Sequence, residues 1–100
     1  MNDYHEPPQE MSAQDRNFAR ALESLKEEID AINWYHQRIA ASDDAEFKAI
    51  LAHNRDEEME HACMALEWLR RNMKGWDDAL RTYMFTEGDI TRLEEKAKDA

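Results

Sequence analysis

Between Pro8 and Gly75 the chain has neither glycine nor proline. Those two residues are the ordinary means by which a backbone turns sharply or leaves a helix. Over this long interval the chain can therefore reverse only where polar side chains arrange it. The interval is rich in Ala, Glu, Leu, Lys, Arg and Met, which are good helix formers, and strand signals are scarce. The fold class predicted is all-α.

Residues 1–11 precede any periodic pattern, and Pro7-Pro8 favours extended backbone, so they read as a flexible N-terminal tail. Ser12 with Asp15 three residues on has the form of a helix start. Ala21, Leu25, Ile32, Tyr35 and Ile39 then recur at helical spacing to about Ala41. A break follows at "SDDAEF". Asp43 with Glu46 forms a second capping pair and opens another long helix, with Phe47, Ile50, Leu51, Ala62, Ala65 and Leu69 as apolar positions. Arg70, Arg71 and Lys74 followed by Gly75 are the polarity expected at its C-terminus. So short a connection makes the two helices antiparallel neighbours. "WDDALRTYMF" reads as one further short helix stopped near Gly88, which gives a helical-hairpin domain over residues 12–88. Residues 89–100 form another short helix or a tail.

The chain of 100 residues has 13 Lys plus Arg against 23 Asp plus Glu, a net charge of −10. That balance argues against unspecific binding to nucleic acid or anionic membranes, and it suits attraction of cations. No apolar run approaches the roughly 20 residues of a membrane span, and the first twenty residues do not read as a secretory signal. The single cysteine, Cys63, cannot form an intrachain disulfide, which fits a reducing compartment and a cytoplasmic location. In a helix such a residue is ordinarily a small packing element. Two helices alone bury one seam and leave the rest of each stripe wet, with Trp34 and Trp68 off the stripes altogether. Self-association of two hairpins into a four-helix bundle is the expected remedy. The alternative is a monomer closed by its C-terminal segment.

On a wheel of about 100° per residue, Glu58 falls within the apolar stripe of the second helix and His61 roughly 60° away on the same face. Glu28 falls within the stripe of the first. A buried carboxylate must be neutralised, paired or metal-bound, and Arg38 and Arg55, the nearest basic residues, project elsewhere. One such acid alone reads as a residue at a wet rim; Glu28, Glu58 and His61 together on facing stripes read as metal ligands. Residues three apart on a helix can reach one ion, and carboxylate plus imidazole suits iron, manganese or zinc. Di-iron carboxylate bundles take one Glu from each of two helices and Glu-x-x-His from each of the other two. One hairpin of this sequence supplies half of that set, and a symmetric dimer completes it.

The runs "KEEIDAINWYHQR", "ILAHNRDEEMEHACMALEWLRRN" and "LRTYMFTEG", with "HEP" in the tail, closely resemble the encapsulated ferritins over roughly Leu22 to Gly88. The resemblance implies a half-ferritin whose dimer forms a ferritin-like four-helix bundle and assembles into a homodecameric ring. It implies ferroxidase activity, in which Fe(II) is oxidised with dioxygen at a di-iron centre between two chains. The working place is an encapsulin nanocompartment, where the oxidised iron is mineralised. Glu58 would bridge the irons, Glu28 and His61 would be terminal ligands, and Tyr35 would lie beside the centre. Glu27 and Asp30 match an acidic pair that admits iron, although the family more usually has Glu at the second position. His53, Glu57 and Glu60 match a further surface site. For both groups the competing reading is a solvated acidic face. Family members usually carry a C-terminal extension ending in a shell-docking peptide, whereas "EEKAKDA" is charged and lacks an apolar docking motif, a departure that bears on the encapsulin partner and not on the ligands. Two other functions use the same residues differently: a metal-binding regulator or buffer without turnover, and a structural helical-hairpin module.

Overall fold

The computed structural model describes residues 4–98, with side chains as far as Glu95. Residues 1–3 and 99–100 of the two terminal segments lie outside the described residues. Helix α1 spans Ala13–Ala41, α2 Ala45–Asn72, α3 Lys74–Tyr83 and α4 Leu93–Lys98, with 3-10 turns at Pro8–Glu10 and Ile90–Arg92. The fold is all-α, a long helical hairpin followed by short helices. No helix among the described residues is long and apolar enough to cross a membrane. The chain divides into two compact units, one running through Trp68 and one starting at Leu69.

In the first unit α1 and α2 run antiparallel. The Phe18 ring meets Trp68 edge-on with centroids 5.9 Å apart, and His36 lies against Arg55 at 3.3 Å, so positions advancing along α1 face positions receding along α2. Trp68, off the apolar stripe in the sequence, therefore packs against Phe18 within the hairpin. Trp34 is exposed, as are Ile29, Phe47, Ile50 and Met64. Among the described residues only Leu51 and Leu69 are buried, Leu69 completely. A hairpin this long cannot cover its own apolar surface.

Helix α1 starts as its sequence predicts, with Ser12 Oγ accepting the Asp15 N–H at 3.0 Å. Upstream, Arg16 Nη1 donates to the carbonyls of Pro8 at 2.9 Å and Met11 at 2.6 Å, which ties the turn of the N-terminal segment to the helix. In the reversal between α1 and α2 the Ser42 N–H donates back to the Arg38 carbonyl at 3.0 Å, and side-chain oxygens hold the rest. Ser42 Oγ accepts from the Asp44 N–H, and Asp44 Oδ1 accepts from the Phe47 N–H at 2.9 Å. Asp44, not Asp43, thus caps α2, because the Ser42 bond occupies the first turn of the loop and moves the helix start one residue along.

In the second unit Gly75 does not end α2. The helix stops at Asn72, extended Met73 (φ −127°, ψ 112°) makes the corner, and Gly75 is the second residue of α3. The Met73 carbonyl accepts from both Trp76 and Asp77 N–H groups, so α3 begins at once. After Tyr83 the chain turns through Phe85 at φ 58° and Gly88 at φ 94°. The glycine suits that left-handed conformation, while Phe85 adopts it at a steric cost with its side chain fully exposed.

Candidate metal centre

Glu28 lies midway along α1, and Glu58 and His61 lie one turn apart on α2. Because the antiparallel register places these levels opposite one another, His61 Nδ1 comes within 3.7 Å of Glu28 Oε2 and 3.6 Å of Glu58 Oε2. One donor atom from each residue lies within 4.8 Å of the others. Both contacts of His61 are too long for hydrogen bonds. They are close to the roughly 3–4 Å between neighbouring ligand atoms when metal bonds are about 2.0–2.2 Å. The two carboxylates are each 25% exposed and the imidazole 47%, so the group is open on one side. Among the described residues neither carboxylate pairs with a lysine or arginine. Two carboxylates converging without a fixed cation are an arrangement that a divalent or trivalent ion relieves.

The other candidates are less closely assembled. Tyr35 is half-buried with the Arg38 guanidinium 5.6 Å from its ring centroid. Seven residues separate it from Glu28, about 10 Å along the helix axis. Glu27 is exposed and Asp30 half-buried on α1. His53 Nε2 meets Glu57 Oε1 at 2.9 Å on the exposed face of α2. Glu60, also exposed, forms no group of three ligand atoms with them, the one such group among the described residues being Glu28, Glu58 and His61. Arg55, placed by the sequence away from the two carboxylates, sends its guanidinium across the hairpin to His36 Nδ1 while its Nε donates to Asp56 Oδ1 at 3.2 Å, a cross-hairpin contact that sequence reasoning did not foresee.

The sequence matches the EncFtn-like family over residues 3–87. The chain belongs to the EncFtn-like family. Among EncFtn-like relatives, the "Ferritin-like protein" of Thermotoga maritima is 63% identical over 93 residues, which cover 93% of this chain and 82% of that one. The "Encapsulated ferritin-like protein" of Rhodospirillum rubrum is 56% identical over the same share of this chain and 66% of its own length. The "Encapsulin nanocompartment cargo protein EncC" of Myxococcus xanthus is 43% identical over 58 residues, 57% of this chain and 45% of that protein. This EncFtn-like chain thus spans just under two thirds of the second relative and under half of the third. The crystal structure of protein ne0167 from Nitrosomonas europaea superposes with a TM-score of 0.86 at 52% identity, covering 89% of this chain and 98% of that one.

Proposed function

We propose that this protein is a ferroxidase that oxidises Fe(II) to Fe(III) with dioxygen at a di-iron centre shared by two chains. The observation that carries this reading is the convergence of Glu28, Glu58 and His61 across the hairpin; membership of the EncFtn-like family supports it. Three ligand atoms on an open face are too few for two ions, and the exposed apolar residues beside them call for a second hairpin. A two-fold dimer doubles the set and covers the surface in one step.

In that dimer Glu58, which has two oxygens to offer, would be the ligand shared between two iron ions, and Glu28 and His61 would be the remaining ligands from each chain. Carboxylates favour the more highly charged ferric state: in a medium of effective dielectric about 20, one added charge about 4 Å from a carboxylate gains roughly 4 kcal/mol. Two Fe(II) ions give up one electron each; with two protons they reduce one dioxygen to hydrogen peroxide. Tyr35 lies at the border of this centre once the second chain is present. Glu27 with Asp30 forms an acidic pair that feeds iron inward, and His53, Glu57 and Glu60 form an outlying iron site. Dimers build a homodecameric ring. Relatives bearing encapsulated and encapsulin-cargo names support an encapsulin shell protein as the partner and the nanocompartment inside a cytoplasm as the place of work. A hairpin has no interior for a mineral, so the ferric product is stored by that compartment.

The test is aerobic Fe(II) oxidation by the purified chain, compared with Glu58→Ala and His61→Ala, recording assembly mass for each. Oxidation well above the protein-free rate that both substitutions abolish is the expected outcome. Metal retained with no dioxygen consumed would leave a metal-binding module. If the substitutions changed neither metal binding nor oxidation, the hairpin would be structural.

A further inference from the structure

A polar contact joins the two long helices between the metal-ligand triad and the turn, and belongs to neither. Arg55 Nη1 of α2 lies 3.3 Å from His36 Nδ1 of α1. His36 follows Glu28 by eight residues, about 12 Å along the helix axis. Around the contact the seam is apolar, with Leu51 buried and Ile32 and Ile39 half-buried.

Chemistry fixes the direction of this hydrogen bond. A guanidinium has donors only and is always charged. His36 Nδ1 must therefore accept, which it does only while the ring is neutral with its proton on Nε2. Arg55 has little freedom to withdraw, because its Nε donates to Asp56 Oδ1 at 3.2 Å and its side chain is only 24% exposed. His36 is exposed, so its ring trades protons with bulk water. The other charges nearby are engaged elsewhere. On α2, Asp56 is taken by Arg55, and His53 pairs with Glu57 at 2.9 Å. On α1, the Arg38 guanidinium lies over the Tyr35 ring. Among the described residues no carboxylate pairs with His36.

We propose that His36 and Arg55 form a proton-operated latch across the hairpin, closed while the imidazole is neutral and open once it is protonated. A protonated ring has no lone pair to offer and sets a second positive charge against the guanidinium. Imidazoles change charge between about pH 5 and 8. The latch thus holds on the alkaline side of that range and is lost as pH falls through it. What loosens is the stretch of seam between the triad and the turn, the part of α1 that carries Tyr35, while the apolar contacts keep the helices paired.

The experiment uses the full chain freed of metal by chelation, which makes its result independent of the iron reading. Nitrogen-15 spectra of the imidazoles at about pH 8 report which ring nitrogen carries the proton. His36 is expected in the Nε2–H form alone, with the Nδ1–H form appearing in Arg55→Gln. Hydrogen exchange of the amides around residues 36 and 55, taken relative to the intrinsic rate at each pH, is then followed from about pH 8 to about pH 5. Protection in the normal chain is expected to fall about fivefold more than in His36→Gln, the worth of one ordinary hydrogen bond, because the glutamine oxygen accepts from Arg55 at every pH. Arg55→Gln removes the cation and should abolish the same step. His5, His53 and His61 are common to all three chains, so the differences report His36. The spectrum needs only the normal chain, which keeps the proposal testable if a variant fails to fold. A proton on Nδ1 at about pH 8, or equal losses of protection in the normal chain and His36→Gln, would overturn the latch and leave His36 as a solvated ring beside a packed arginine.

Discussion

At the scale of single residues, two carboxylates and one imidazole share a space that water only partly screens. Replacing Glu58 by Gln should stabilise the metal-free protein by about a few tenths of a kcal/mol, because one like-charge contact is relieved. It should also abolish the gain that a bound cation brings. At a metal concentration about a hundredfold above Kd that gain is about 2.7 kcal/mol, and thermal unfolding with and without metal measures both effects. This triad was legible in the sequence because helical period fixes which side chains share a face, and Glu58 and His61 needed no more than that. The place of Tyr35 was not legible in the same way, since its distance from a centre depends on a second chain. Phe85 was not legible at all: nothing in "YMFTEG" singles out its left-handed backbone. Phe85→Gly should raise stability by about 0.5 kcal/mol, the relief of a roughly 1–2 kcal/mol strain less the entropy glycine adds to the unfolded chain. A fall in melting temperature instead would mean that the exposed ring is used as a contact in the assembly.

At the scale of elements, helix ends decide the architecture. Asp44→Ala removes the cap of α2 and should cost about 1 kcal/mol. Asp43→Ala, one residue earlier, should cost less than about 0.5 kcal/mol. Denaturant unfolding of the pair distinguishes the two aspartates: the Asp43–Glu46 pattern pointed to the first, whereas the hydrogen bonds of Ser42 and Asp44 go with a helix that starts after the second. Gly75 misled for a related reason. A glycine after basic residues ordinarily closes a helix, but extended Met73 had already done so. At that corner hydrogen bonds, from Arg81 first and Arg70 second, depress the Asp77 carboxyl below 3.8. A group lowered on folding contributes its stability in full above the unfolded value and loses it as pH falls through the folded one. The protection of the α3 amides against hydrogen exchange, taken relative to the intrinsic rate at each pH, should therefore fall below pH 3.8 in the normal chain. Asp77→Asn should show lower protection already at neutral pH and no further acid step from this group. Lys74 works in the opposite direction: its value is raised above 10.5, first by the hydrogen bond to Asp78, and its contribution is lost as pH rises past that point.

At the scale of the molecule, a hairpin with two buried residues and a face of exposed Ile, Phe, Met and Trp is an incomplete object. The long helices and their antiparallel pairing were legible because both follow from period and loop length. The packing of Trp68 against Phe18 was not, since a residue off the stripe can turn inward only once a particular neighbour exists. If the reactive centre needs two hairpins, activity in refolded mixtures of normal and Glu58→Ala/His61→Ala chains should follow the square of the normal fraction. A linear dependence would mean that each hairpin works alone. The same arithmetic reaches into inheritance. If Glu28, Glu58 and His61 of one chain make only half of a centre, a cell producing equal amounts of sound and ligandless copies would keep about a quarter of its working sites under random pairing. A lesion at any of the three would be partly dominant, silencing good copies by partnering them.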